Sequence, residues 1–131
     1  MSVGLLLISH EGLGAALLEC SRSALGRCPL PIEQLCASRD CDPIQILRAA
    51  EAQIETLDTG EGVLVLTDLY GSTPCNIAAR LLADPHVRVV SGMNLPMLIR
   101  VLNYPELDLD ALAEKALSGG RDGVMRVTQE G

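Results

Sequence analysis

Short, continuously apolar segments alternate along this chain with longer segments in which apolar residues recur every three or four positions. Residues 3–8 (VGLLLI) and 62–67 (GVLVLT) are of the first kind, 87–91 is a third candidate and 32–36 is a weaker one. A continuous apolar run of this length is typical of a β-strand that is covered on both faces. We therefore predict a sheet of four such strands.

The segments between these runs have helical spacing, because their apolar residues fall on one face of a helix. The three faces are Leu13, Ala16, Leu17, Cys20 and Ala24; Leu47, Ala50, Ile54 and Leu57; and Leu109, Leu112, Ala113 and Ala116. Strands that alternate with helices are typical of a parallel sheet with helices on both faces. The predicted fold class is α/β: one three-layer α/β/α domain over residues 1–131, with a mainly parallel four-stranded sheet. Residues 123–127 are predicted to add a short C-terminal edge strand.

Capping residues agree with this division of the chain. Asp42 precedes Pro43, which places a capping carboxylate before a proline suited to the first position of a helix. Thr73 and Pro74 repeat the arrangement, so a helix is predicted to follow Thr73. The glycine pair at 119–120 comes after the last periodic residue, where a helix end favours glycine, and predicts the end of the last helix.

Composition excludes several classes of function. Ten basic and seventeen acidic side chains give a net charge of −7, which disfavours binding to nucleic acid and is compatible with a protein partner that has a basic face. No segment approaches the roughly 20 apolar residues that span a bilayer, and no basic segment precedes residues 3–8. We expect a cytoplasmic protein that does not insert into membranes. Five cysteines without CxxC spacing predict neither a metal site nor a disulfide framework.

Polar residues follow two of the predicted strands, at the edge of a parallel sheet where ligands bind. His10 follows the first strand and Asp68 the third, so the two face each other if these strands are neighbours. A carboxylate that accepts a hydrogen bond from one ring nitrogen leaves the other nitrogen free as a nucleophile. The residue types alone also allow a capping His10 and an Asp68 that bonds to its own loop. The other histidine, His86, lies in a polar turn and is predicted to be a solvated loop residue.

The segment after Asp68 is suited to an anion. Gly71, Ser72 and Thr73 would place backbone N–H groups and hydroxyls at the start of a helix, where the helix dipole favours negative charge. A nucleophile, the residue that orients it and a phosphate-binding loop are therefore predicted at one edge of the sheet.

Several segments resemble one known family. Residues 7–10 (LISH), 62–76 (GVLVLTDLYGSTPCN), 90–98 (VSGMNLPML) and 120–124 (GRDGV) are similar, in this order, to motifs of the mannose-family enzyme IIA domains of the bacterial phosphoenolpyruvate sugar phosphotransferase system. The resemblance covers essentially the whole chain.

The resemblance implies a phosphotransferase component that carries phosphohistidine, without a cofactor or a turnover of small molecules of its own. His10 would take a phosphoryl group from the phosphocarrier protein HPr and pass it to a histidine of an enzyme IIB domain. Asp68 would orient the ring, and Ser72, Thr73 and nearby amides would hold the phosphate. Members of the family are usually dimeric, so a homodimer is expected, with the C-terminal strand at the sheet edge.

One departure and three alternatives remain at this stage. Glu11 stands where the family usually has glycine, and a carboxylate beside a phosphohistidine is unfavourable unless it points away. The phosphoryl-accepting subunit of a dihydroxyacetone kinase has a similar domain, and a regulatory binding module switched by phosphorylation would keep the same histidine. A hydrolase that uses Ser9 or Cys75 is a weaker hypothesis, because neither residue lies in a GxSxG motif.

Overall fold

Four parallel strands and five α-helices make up the part of the chain that the structure, a computed structural model, describes: residues 2–38 and 40–129. The strands are β1 (Gly4–Ser9), β2 (Ile32–Cys36), β3 (Val63–Thr67) and β4 (Val87–Val90). The helices are α1 (Leu13–Leu25), α2 (Pro43–Leu57), α3 (Thr73–Arg80), α4 (Leu95–Leu102) and α5 (Leu109–Asp122), with a short 3₁₀ turn at Leu81–Ala83. The predicted fold class is confirmed.

The strand order is β2-β1-β3-β4, with parallel pairing throughout. Leu6 of β1 lies between Glu33 of β2 and Val65 of β3 in the register. The chain builds outward from β1 in one direction to β2 and then in the other direction to β3 and β4. The point at which the order reverses therefore lies between β1 and β3, at the carboxyl ends of the strands.

The side chains of the central strands point alternately into two hydrophobic layers, one on each face of the sheet. Because successive side chains of a strand point to opposite faces, neighbouring residues of β1 and β3 enter different layers. The layer on one face consists mainly of Leu5, Leu7, Leu64, Leu66, Leu98, Leu102 and Leu112, and the layer on the other of Leu6, Ile8, Val63, Val65, Ala50, Ile54 and Ile77. With no Phe or Trp in the chain, aliphatic side chains fill the interior.

Two helix starts were predicted from capping residues. The start of α2 agrees with the prediction, and the start of α3 differs from it by one residue. Asp42 caps α2, and its carboxylate accepts a hydrogen bond from the amide of Ile44 at 3.0 Å. At α3 the capping position is Ser72 and Thr73 is already helical, so the predicted cap at Thr73 is wrong by one residue. The Ser72 hydroxyl donates to the carbonyl of Leu69 at 2.6 Å and does not cap the helix itself.

The glycine pair at 119–120 does not end the last helix, and that prediction is wrong. α5 continues through Asp122, and both glycines are buried where α5 packs against α4. A Cβ at Gly119 would lie 2.7 Å from the Cβ of Arg100, and one at Gly120 would lie 2.7 Å from the Cε of Met97. The glycines allow the two helices to approach closely.

The predicted edge strand at 123–127 is also absent from the part of the chain that the structure describes. Residues 124–128 have no regular structure, because no strand lies alongside them and a strand forms only when its backbone groups find a partner. Val124, Met125 and Val127 are largely exposed. Among the described helices, none combines the length and the apolar character that crossing a membrane requires.

Candidate functional site

The point at which the strand order reverses carries His10 and Asp68. His10 follows β1 and Asp68 follows β3, and these strands are paired neighbours with Ile8 opposite Thr67. The structure brings the two side chains together: His10 Nδ1 lies 2.8 Å from Asp68 Oδ2. The backbone amide of His10 donates to the same oxygen at 3.1 Å. One carboxylate oxygen therefore holds both the backbone and the ring of His10.

The charge of Asp68 determines which ring nitrogen carries hydrogen. Burial raises the pKa of this carboxyl, but the hydrogen bonds from the amide and the ring of His10 lower it by more, so that its pKa lies below its ordinary value. Asp68 is ionised at neutral pH and can only accept hydrogen bonds. His10 Nδ1 is consequently the donor, and Nε2 is the free nitrogen. The Asp68 side chain is 8% exposed and that of His10 is 42% exposed, so solvent and partners reach the ring.

A cavity of about 490 Å³ opens beside His10, and His10, Gly71, Ser72, Thr73 and Asn76 line it. Ser72 is the capping position of α3 and Thr73 and Asn76 lie in its first turn, so the cavity lies at the start of a helix, where an anion is favoured. Gly71 has a φ of +83°, a left-handed conformation that favours glycine, and it turns the chain from β3 into α3. None of the lining residues is a lysine or an arginine.

Asn76 is the cavity residue to which the sequence analysis assigned no role. Its amide donates to the carbonyl of Ser72 at 2.8 Å, which places it one helical turn after the start of α3. A signal was present in the spacing, because residues three and four positions apart lie on the same helix face. Asn76 follows Ser72 and Thr73 by four and three positions.

Three other residues singled out in the sequence do not line this cavity. Cys75, the candidate nucleophile of a hydrolase, is buried. Glu11 is exposed, and its charge adds to the effect of burial, which raises the pKa of the Cys36 thiol at the end of β2. His86 is a solvent-exposed loop residue before β4, at the opposite end of the sheet, with Nδ1 3.7 Å from Asp58 Oδ2. His10 is thus the histidine at the point where the strand order reverses.

The chain is thus a small domain with a parallel α/β sheet and a His–Asp pair at the carboxyl edge of that sheet. Residues 4–117 match the family described as "PTS system fructose IIA component". The match spans most of the chain, so the chain belongs to this EIIA-man family of the sugar phosphotransferase system (PTS). The resemblance found in the motifs is thereby confirmed.

Curated relatives are similar over part of their length. The "PTS system mannose-specific EIIAB component" of Escherichia coli strain K12 is 39% identical over 82 residues, which is 60% of this chain and 25% of that protein. The "PTS system fructose-specific EIIA component" of Bacillus subtilis is 44% identical over 45 residues, 34% of this chain and 31% of that protein. The match thus spans about a quarter to a third of these relatives.

Solved structures match the whole domain. A "mannose/sorbose specific IIA subunit" from Enterococcus faecalis has a TM-score of 0.82 at 29% identity, covering 98% of this chain and 96% of that one. The "PTS IIA protein associated with the fucose utilization operon" from Streptococcus pneumoniae also has a TM-score of 0.82, with 99% and 98% coverage, and at 24% identity it shows the fold alone. The architecture described above is the fold of these IIA proteins.

Proposed function

We propose that this chain is a phosphohistidine carrier, in which Nε2 of His10 accepts a phosphoryl group from phospho-HPr and passes it to a histidine of an enzyme IIB protein or domain. The observation that carries the proposal is the 2.8 Å contact between His10 Nδ1 and Asp68 Oδ2, which leaves Nε2 as the free nitrogen. Residues 1–131 are assigned to one IIA domain that acts in the cytoplasm, in sugar uptake or in a regulatory relay.

The transfer exchanges one N–P bond for another. The lone pair of His10 Nε2 attacks phosphorus, and the N–P bond of the donor histidine breaks with its electron pair returning to the donor ring. The ring of His10 gains positive charge while Nδ1–H stays bonded to Asp68, and the adjacent carboxylate stabilises that charge. The same steps in reverse order deliver the group to the acceptor histidine, so no cofactor is required.

The cavity beside His10 is suited to hold the transferred group without trapping it. Gly71, Ser72, Thr73 and Asn76 surround the space with neutral polar groups at the start of α3. A phosphoryl group has about 1.5 to 2 negative charges at neutral pH. Because no lysine or arginine lines the cavity, we expect the group to be oriented by hydrogen bonds and the helix dipole while it remains transferable.

The surroundings of the site favour a protein as the partner. Leu69 and Tyr70 follow Asp68 directly, and both residues are exposed, Tyr70 by 84%. Leu13, just after His10 in the sequence, is also exposed. Apolar groups of this kind beside a reactive atom are typical of a docking surface. The net charge of −7 suits a partner with a basic face.

The experiment uses the two histidines of the chain as test and control. The protein is incubated with phosphoenolpyruvate, enzyme I and HPr, and labelling with a phosphate that is labile in acid and stable in base is measured. The wild type and His86→Ala should label equally, and His10→Ala should not label. A wild-type protein that stays unlabelled, or a His10→Ala variant that labels like the wild type, would refute the proposal.

We also propose that the domain works as a homodimer. Val124, Met125 and Val127 expose apolar surface beyond α5, and β4 is an edge strand whose outer side has no strand partner among the described residues. An unpaired edge is a site for strand addition. Residues 124–128 of one copy, which have no regular structure in the single chain, would pair with the sheet edge of the other.

A further inference from the structure

The hydroxyl of Ser9 is buried directly beside the reactive histidine. Ser9 is the last residue of β1, precedes His10 and is 2% exposed. A buried hydroxyl costs free energy unless it finds hydrogen-bond partners. The partners of Ser9 lie in the elements that flank the His10 loop, and this arrangement points to a role in shaping that loop.

Ser9 connects three elements at the site. Its Oγ accepts a hydrogen bond from the amide of Gly14, in the first turn of α1, at 2.8 Å. Its backbone carbonyl accepts one from the amide of Ala37, just after β2, at 2.9 Å. The hydroxyl itself donates to the carbonyl of His10 at 3.3 Å. The ends of β1 and β2 and the start of α1 are therefore held together around one residue.

The start of α1 depends on this contact because it has no cap of its own. Gly12 occupies the capping position and has no side chain that could accept a hydrogen bond. The first amides of any helix lack partners within the helix, and the amide of Gly14 is one of them. A Cβ at Gly14 would lie 3.0 Å from Ser9 Oγ and 3.5 Å from the Cβ of Leu7. Glycine at this position lets the helix come close enough for the bond.

We infer that Ser9 is a positioning residue for His10. Its bond to Gly14 closes the loop 10–12 from both sides, with β1 fixed before the loop and α1 fixed after it. Within that closed loop the amide and the ring of His10 both reach Asp68 Oδ2. Loss of the hydroxyl leaves the buried amide of Gly14 without its acceptor and frees the loop, so the bond between the ring and Asp68 forms for a smaller fraction of the time. The effect of Ser9 on the rate of phosphoryl transfer rests on the proposed function, whereas its effect on the tautomer of the His10 ring does not.

The test compares Ser9→Ala with Ser21→Ala as a matched control. Ser21 is also buried, and its hydroxyl also makes one short bond, to the carbonyl of Leu18 at 2.8 Å, but it lies within α1 away from the cavity. The first measurement is the ¹⁵N chemical shift of each nitrogen in the His10 ring, which reports where the hydrogen is. The second is the rate at which phospho-HPr labels the protein.

Ser9→Ala should shift the ring from the form protonated at Nδ1 towards a mixture of the two tautomers. Its labelling should slow on the order of tenfold, because small errors in the placement of a nucleophile are costly. Ser21→Ala should change neither quantity. Gly14→Ala, which places a methyl group against Ser9 Oγ, should shift the tautomers in the same direction as Ser9→Ala, although alanine favours a helix.

Unchanged ring shifts in Ser9→Ala, or equal shifts in the two serine variants, would overturn the inference. If Ser9→Ala does not fold, Gly14→Ala provides the test. Unchanged ¹⁵N shifts of the His10 ring in Gly14→Ala would overturn the inference as well. The ring signals need no phosphoryl donor. A wild-type protein that is never labelled would therefore refute the proposed function and leave the conclusion on Ser9 to the ¹⁵N measurement.

Discussion

Replacing Asp68 by Asn tests the central pair of the site at nearly constant size. The substitution removes the negative charge beside the ring and leaves a neutral amide, which can accept from Nδ1 or donate to it. Two unit charges about 4 Å apart near a protein surface interact by about 4 kcal/mol. Because the ring of His10 is 42% exposed, we halve this value for solvent screening. The expected loss is about 2 kcal/mol of transition-state stabilisation, or about 30-fold in rate.

The assay is a single-turnover transfer from phospho-HPr, with the initial rate measured for the wild type and Asp68→Asn. Asp58→Asn is the matched control, because Asp58 also lies beside a histidine, His86, but at the opposite end of the sheet. That variant should unfold more easily, since Asp58 accepts bonds from the amides of Gly60 and Gly62, and should transfer at the wild-type rate.

The reasoning would be refuted if folded Asp68→Asn transferred within about threefold of the wild-type rate, since that corresponds to less than about 1 kcal/mol. It would also be refuted if Asp58→Asn slowed transfer as much as Asp68→Asn, because the effect would then not depend on the charge beside His10.

Two further predictions concern stability and assembly. The pKa of Asp68 is lowered in the folded state from an ordinary 3.8, so its stabilisation is fully present above that pH and is lost as the pH falls through the folded-state pKa. Urea unfolding from about pH 5 to about pH 2 should therefore show a smaller loss of stability in Asp68→Asn than in the wild type, and equal losses would contradict this. The homodimer predicts a light-scattering mass near twice 13.9 kDa for the wild type and near 13.9 kDa for Val127→Asp. A monomeric wild type would contradict it.

Local sequence patterns were sufficient to predict the four apolar strands and the cap of α2, because these features depend on neighbouring residues. The four strands predicted from apolar runs are found, because a short continuous apolar run has few alternatives once strands must alternate with helices. Asp42 caps α2 because an acceptor before a proline satisfies an amide of the first turn without help from the rest of the fold.

The prediction at the glycine pair failed because one residue type serves two structural purposes. Glycine ends helices through its left-handed conformation, and it also lets two helices approach closely. Gly119 and Gly120 serve the second purpose, and the local sequence does not show that α4 packs there. Ser72 and Thr73 are adjacent hydroxyl residues, so the pattern alone could not place the helix start to within one residue.

The residues of the candidate site also fall into those that the sequence predicted and those that only the structure showed. The placement of His10, Asp68 and the loop 71–73 after strands could be predicted from the sequence, and so could the chemistry that a His–Asp pair allows. From the sequence, Asn76 had no role and Ser9 had only that of a nucleophile in the weaker hydrolase hypothesis, because the importance of both residues comes from what they face. Asn76 matters for the cavity it lines, and Ser9 for the amide of Gly14 beneath the loop.

The sequence by itself determined the four apolar strands, most of the helices and the family of this protein, because those depend on residue type and spacing along the chain. Only the tertiary structure decided that β1 and β3 are neighbours, which brings residues 58 positions apart to within 2.8 Å. The order of the strands depends on how the helices pack on both faces of the sheet, and the local sequence does not show that packing. The tertiary structure also decided that Asp68 accepts from Nδ1, and therefore which nitrogen of His10 is free.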